Sequence, residues 1–504
     1  MMNIKQAKEE IENTVKAYLQ RDETGNYRIA PVRQRPVLLM GPPGVGKTQI
    51  IEQAARDCGV ALVAYTITHH TRQSAVGLPF ILKKTYGGKE FSVTEYTMSE
   101  IIASVYDRME QTGLKEGILF IDEINCVSET LAPTMLQFLQ GKTFGNQKVP
   151  QGWVIVAAGN PPEYNRSARE FDIVTLDRVR KIDVRPDFSV WKEYAYRQSI
   201  HGAVLSYLEL RGKNFYRVET TPDGAAFATA RGWEDLSEMM QVREEMGLEV
   251  NQELILQYIQ IPAVAKDFAN YYELYRKYRD DYRVNDILDG SVSERAVAML
   301  QHARFDERLS VIGLLLSRLN GAFHEAELAD RVTEAVFERL REWKELLKSE
   351  TETPEENLRR LTREAEDSLA RRRENGRLDR DGEAAEYRCV LLLKQYADEL
   401  HQSGRPGAGA AFASVKESFA RQTGRREDKV EAASRMLGNA FDFLSVTFGE
   451  SQEMVVFVTE LTVGYYSSKF IMENGSEQYE TYNRSLLLGD RRGEILKEID
   501  SLTR

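Results

Sequence analysis

The run GPPGVGKT over residues 41–48 constrains this chain more than any other feature. It follows an apolar stretch, VLLM at 37–40, and precedes a helical pattern over 49–58. Strand, glycine-rich loop and helix in that order make a GxxxxGKT pattern a phosphate cradle, or P-loop. Glycines let backbone N–H groups wrap phosphate oxygens with no Cβ in the way. Lys47 is expected to reach the β- and γ-phosphates, and Thr48 to ligate Mg²⁺ through its hydroxyl. Gly41, Pro42, Pro43, Gly44, Val45, Gly46, Lys47 and Thr48, with Gln49 after them, form the candidate nucleotide-binding set. The expected ligands are ATP and Mg²⁺.

Two further apolar runs end in polar residues. ILFIDE at 118–123 places Asp122 at the carboxyl end of a strand, where it can join Thr48 at the metal, and Glu123 next to it as a general base for an attacking water. The plain alternative is that the acidic pair caps the next helix. VIVAAGN at 154–160 ends in Asn160, whose amide can hold a water or the γ-phosphate. Asn before Pro161 and Pro162 is also an ordinary turn residue. With 37–40 and ALVAY at 61–65, these runs alternate with longer helical patterns. Short apolar runs of that kind predict buried parallel strands, and the alternation predicts a three-layer α/β sandwich over 31–190.

Beyond residue 190 the strand-like patterns thin out. Segments around 191–211, 231–247, 252–278, 292–319 and 328–348 read as helices. The expected organisation is an N-terminal helix within 1–30, a nucleotide-binding core at 31–190, a helical lid at 191–290 and a helical C-terminal region at 291–504. Thr353, Pro354 and Glu356 form a helix start with a capping box. Residues 403–409, SGRPGAG, read as a hinge or linker.

The chain has 504 residues and a formal net charge of -11, which counts against nucleic-acid binding because that rests on Lys and Arg. Three separated cysteines, Cys58, Cys126 and Cys389, indicate neither a disulfide framework nor a zinc site and fit a reducing cytoplasm. His69 and His70 are adjacent, and on a strand they would point to opposite faces. No apolar run approaches membrane-spanning length.

P-loop, acidic strand, Asn-tipped strand and then LDRV at 176–179 resemble an AAA+ ATPase. AGNPP at 158–162, HTRQSAVGLPF at 70–80 and ARGWEDL at 230–236 are similar to the MoxR branch. The resemblance covers about residues 30–290. It implies that Asn160 is sensor 1, that Arg178 is the arginine finger entering a neighbouring subunit's site, and that Arg231 is sensor 2 at the start of the lid helix. Arg180 is a second finger candidate, because Val179 stands where the family usually has an aromatic. A salt bridge from Arg178 to Asp177 or Asp183 is the structural alternative. The resemblance also implies two hairpins facing a pore or partner, at residues 78–97 and 141–153.

The expected function is that of a ring oligomer, hexameric by resemblance, which hydrolyses ATP to remodel a protein client in a chaperone-like way. A partner with a von Willebrand A domain is implied for this branch. Two alternatives are a nucleic-acid motor or loader on the same core, and a non-hydrolysing nucleotide switch serving as a scaffold. The intact set of Lys47, Asp122, Glu123, Asn160 and Arg178 argues against the switch.

Overall fold

A computed structural model of the protein describes residues 1–485 except 70–71, 145–146, 166, 222–223, 349–351 and 405–406. His70, residues 145–146 within the hairpin expected at 141–153, and residues 405–406 within the hinge or linker expected at 403–409 therefore lie outside the described residues. The chain divides into two compact units. The first is Met1–Val190 with Thr229–Arg231 and Asn375–Arg377, and the second is the rest of the described chain.

The first unit is an α/β core. Strands β1 (Val37–Met40), β2 (Ala61–Thr66), β3 (Gly117–Asp122), β4 (Trp153–Gly159) and β5 (Arg180–Asp183) form one sheet in the order β2-β3-β4-β1-β5. All neighbours are parallel. The four strand-like runs of the sequence become β1 to β4, and β5 adds an edge. Leu38, Met40, Ala61, Val63, Leu119, Ile121, Ile155 and Ala157 point to one face, against Ile101, Ile102, Val105, Met135, Phe138 and Leu139 of two helices. Their alternates Val37, Leu39, Ile118, Phe120, Val154 and Val156 are also buried. A sheet covered on both faces has strands that are apolar throughout, which is why no alternation shows in these runs.

Helix α1 (Ile4–Leu19) belongs to this unit and packs on α2 (Lys47–Asp57). Asn3 and Gln6 close a capping box at its start. Ahead of it, Met2 pairs with Val184 beyond the end of β5. The expected hairpin forms as Pro79–Tyr86 paired with Lys89–Tyr96. Its turn residues Gly87 and Gly88 both have positive φ, 59° and 80°, as a two-residue type I′ turn demands. The second hairpin is much shorter, Thr143–Phe144 against Gln147–Lys148.

The second unit is mainly helical, with three departures from the sequence reading. Arg217–Thr221 and Gly224–Ala228 form an antiparallel hairpin within a stretch read as helical lid. The expected helices at 292–319 and 328–348 are replaced by Glu294–His302 and one continuous helix, Phe305–Leu346, of 42 residues. Gly321 lies inside it without breaking it, because buried Leu319, Phe323, Ala326 and Val332 continue one apolar stripe across that point. The expected 252–278 helix divides into Gln252–Tyr258 and Pro262–Asp281. Pro262 forces Ile261 out of helical geometry, to φ -90° and ψ 108°. Among the described residues no helix is long and apolar enough to cross a membrane.

Candidate nucleotide site

Three strands of the sheet end at one place. The loop after β1 turns through Gly44 and Gly46, whose φ values are 71° and 90°. Gly46 caps α2, so the free N–H groups of that helix open toward the loop. A Cβ on Gly41 would lie 2.9 Å from the Val184 carbonyl oxygen, so the loop passes β5 too closely for any side chain. A Cβ on Gly44 would lie 3.0 Å from the Thr229 hydroxyl and 3.6 Å from the Arg231 Cβ. Thr229–Arg231 thus lies over the loop, which places Arg231 beside the phosphate cradle.

Lys47 is 8% exposed. Its Nζ donates to the carbonyls of Gly41 (2.8 Å) and Pro42 (3.0 Å) and to Asn160 Oδ1 (2.8 Å). Burial pushes its ammonium down to about 8; Arg231 adds to that, whereas Asp122 and Glu123 oppose it. The P-loop lysine and the Asn-tipped strand, read separately in the sequence, therefore touch.

Thr48 Oγ1 donates to Asp122 Oδ2 at 3.1 Å, so a hydroxyl and a carboxylate meet at the strand end. Such a set suits Mg²⁺, which takes one or two protein oxygens and completes its shell with phosphates and water. A larger cluster is not needed, and among the described residues no group of three His, Cys, Asp or Glu side chains could hold a metal.

Glu123 has φ 56°, a left-handed conformation uncommon outside glycine. Its N–H donates to Asp122 Oδ1 at 2.9 Å, and its carboxylate accepts from Thr68 Oγ1 at 2.9 Å. Thr68, just past β2, was not singled out by the sequence. Nothing local marks a lone Thr 55 positions before its partner. Asn125 was missed as well: it is 3% exposed and donates to the Asn160 carbonyl at 2.7 Å. Burial, followed by the charges of Glu123 and Asp122, pushes the Cys126 thiol up, which makes it a poor nucleophile, although the side chain is only partly buried.

The two finger candidates separate clearly. Arg180 is engaged within the chain: it donates to Thr14 Oγ1 at 2.8 Å and pairs with Glu10, both on α1. Arg178 is exposed and makes no side-chain hydrogen bond or ion pair with another described residue. Neither alternative partner holds it, and Asp183 is paired with Lys181 at 2.9 Å.

A parallel sheet with a P-loop after β1 and an acidic pair after its neighbour-but-one defines a P-loop nucleotide-binding domain. Residues 37–176 match the sequence model of the ATPase family associated with various cellular activities (AAA). This segment therefore resembles an AAA-type ATPase domain. No curated protein matches the chain. Among solved structures it is similar to PCH-2 of C. elegans, at 12% identity over 42% of this chain and 48% of that one, with a TM-score of 0.24. It is also similar to a RuvB mutant of Thermotoga maritima, at 15% identity over 55% of this chain and 78% of that one, with a TM-score of 0.30. The chain thus spans about half the length of the first. At these values neither likeness carries an argument about function.

Proposed function

We propose that this protein is an AAA+ ATPase of MoxR-like type, which hydrolyses ATP in a ring and uses the resulting motion on a protein client. The observation that carries the ATPase reading is the convergence of Lys47 with Asn160 and of Thr48 with Asp122 at one end of the sheet. Backbone N–H groups of residues 41–48 bind the phosphates. Lys47 moves from carbonyl and amide oxygens to the β- and γ-phosphates, which compensate its buried charge far better. Mg²⁺, held by Thr48 and Asp122, would supply positive charge to the phosphoryl group in transfer.

Glu123 takes a proton from the attacking water and Asn160 orients that water. The Thr68 hydroxyl holds one oxygen of the Glu123 carboxylate, which leaves the other oxygen to take the proton. Arg178 is free to enter a second subunit's site and Arg231 to report nucleotide to the lid. Both roles, like the ring, the protein client, a von Willebrand A partner and a cytoplasmic location, rest on the family resemblance.

The test is ATP hydrolysis by the purified protein and by Glu123→Gln. Wild type is expected to turn over ATP. The variant is expected to bind a fluorescent ATP analogue normally and to lose turnover by at least about 100-fold. A variant with wild-type turnover would refute the base assignment, and a wild type that neither binds nor hydrolyses ATP would refute the whole reading.

A further inference from the structure

Asn125 stands two residues past the general base and belongs to no motif used above, yet it is among the most buried polar groups of the first unit, at 3% exposure. Its Nδ2 donates to the Asn160 carbonyl at 2.7 Å and, more weakly, to the Arg169 carbonyl at 3.4 Å. Both partners are acceptors, so the amide orientation is fixed by the network. Its own carbonyl accepts from the Arg169 N–H at 2.9 Å. On the preceding residue, Ile124 N–H donates to the Ala158 carbonyl at 2.9 Å. The turn after the acidic pair is thus bonded to the tip of β4 on one side and to residue 169 on the other.

Room for this side chain is built into β4. A Cβ on Gly159 would lie 2.5 Å from Asn125 Oδ1, so the residue before Asn160 has to be glycine for Asn125 to sit there. Beyond Arg169 the chain runs to Asp172, which accepts from Thr175 N–H at 2.8 Å and caps the short helix Ile173–Leu176. Arg178 follows at once.

We propose that Asn125 is a positioning residue: it ties the strand tip bearing Asn160, where nucleotide is sensed, to the segment leading to Arg178, so that a shift of Asn160 moves the face presented to a neighbouring subunit. The proposal rests on the ATPase reading above. Asn125 touches no reacting atom; it acts through Asn160, whose Oδ1 is already held by Lys47.

The test compares Asn125→Ala, Asn160→Ala and the double variant in the full chain, by melting temperature, affinity for a fluorescent ATP analogue and kcat per folded protein. Asn125→Ala is expected to lower kcat at least about tenfold, with affinity changed less than about threefold. Because Asn125 works through Asn160, the double variant is expected to match Asn160→Ala alone. Gly159→Ala keeps both asparagines but drives a methyl into the Asn125 amide, and is expected to reproduce the kcat loss. It carries the same test should Asn125→Ala melt below the assay temperature. A lowered melting temperature with unchanged kcat would reduce Asn125 to packing and overturn the proposal, as would losses that simply multiply in the double variant. An inactive wild type would instead overturn the ATPase reading itself.

Discussion

Lys47 is a buried cation, and that predicts a pH dependence. Burial lowers its pKa from the ordinary 10.5 to about 8. Below pH 8 both folded and unfolded chains carry the ammonium, and the fold bears its full desolvation cost. Between 8 and 10.5 the folded group has lost its proton while the unfolded one keeps it, so stability rises with pH through that window. Above 10.5 both are neutral. At about 1.4 kcal/mol per pH unit the total gain is about 3 kcal/mol, undiscounted for solvent because the side chain is 8% exposed. For a unit of this size that is about 6–12 °C in melting temperature. Lys142, also lowered to about 8 by burial, contributes in the same direction, and Tyr207 and Tyr272, raised by burial, act oppositely above pH 10. Both effects cancel when wild type is compared with Lys47→Met. Scanning calorimetry from pH 7 to 10.5, on the transition that ATP·Mg shifts, should show wild type gaining on the variant across the window. Phosphates compensate the charge, so ATP binding at pH 9 should take up about 0.9 proton, read from binding heats in two buffers. A constant difference between the two proteins from pH 7 to 10.5 would refute the argument.

Further outcomes follow from which charged groups are paired and which are not. Arg178→Ala should lose turnover by about 1000-fold with unchanged melting, whereas Arg180→Ala should keep turnover and lose under about 1 kcal/mol of stability, since its pairing with Glu10 is partly exposed. Mixing Arg178→Ala with Glu123→Gln should restore ATPase activity at mixed interfaces; no restoration, or an active Arg178→Ala, would remove the finger role. In the helical unit, Lys192 lies between Glu209 and Glu460, at 2.5 Å from each, and Glu460 also accepts from Tyr196 at 2.7 Å. Lys192→Met should cost about 3–5 kcal/mol by leaving Glu460 buried without a cation, and Lys192→Met/Glu460→Gln should recover part of it, both read from the melting of that unit.

What the sequence disclosed about the site is what phosphate chemistry dictates locally. In the proposed site, Gly44, Gly46, Lys47, Thr48, Asp122 and Glu123 are residue types needed at fixed offsets from strand ends, so one stretch of chain betrays each of them. Even Asn160, ambiguous alone, gained meaning from its order after the acidic pair. What stayed hidden depends on pairing across the fold. Thr68 is an ordinary hydroxyl until β2 is laid beside β3. That Arg180 is engaged by Glu10 and Thr14 could not be read locally, because those partners lie some 170 residues away on a helix read as a separate segment. The same holds for the fold: the parallel strands were legible as apolar runs bounded by turns, but the edge strand β5, RKID, has no such run and joins the sheet only through its bonds to β1. Conversely, the helices expected at 292–319 and 328–348 were read as separate, and a continuous apolar stripe through Leu319, Phe323 and Ala326 carries one helix across the gap. Chemistry that must sit on one short segment is written there. Chemistry that is completed by a neighbour, whether Thr68 for Glu123 or Asn125 for Asn160, becomes visible only when the sheet brings the segments together, and those completing residues are the ones whose substitution separates positioning from catalysis.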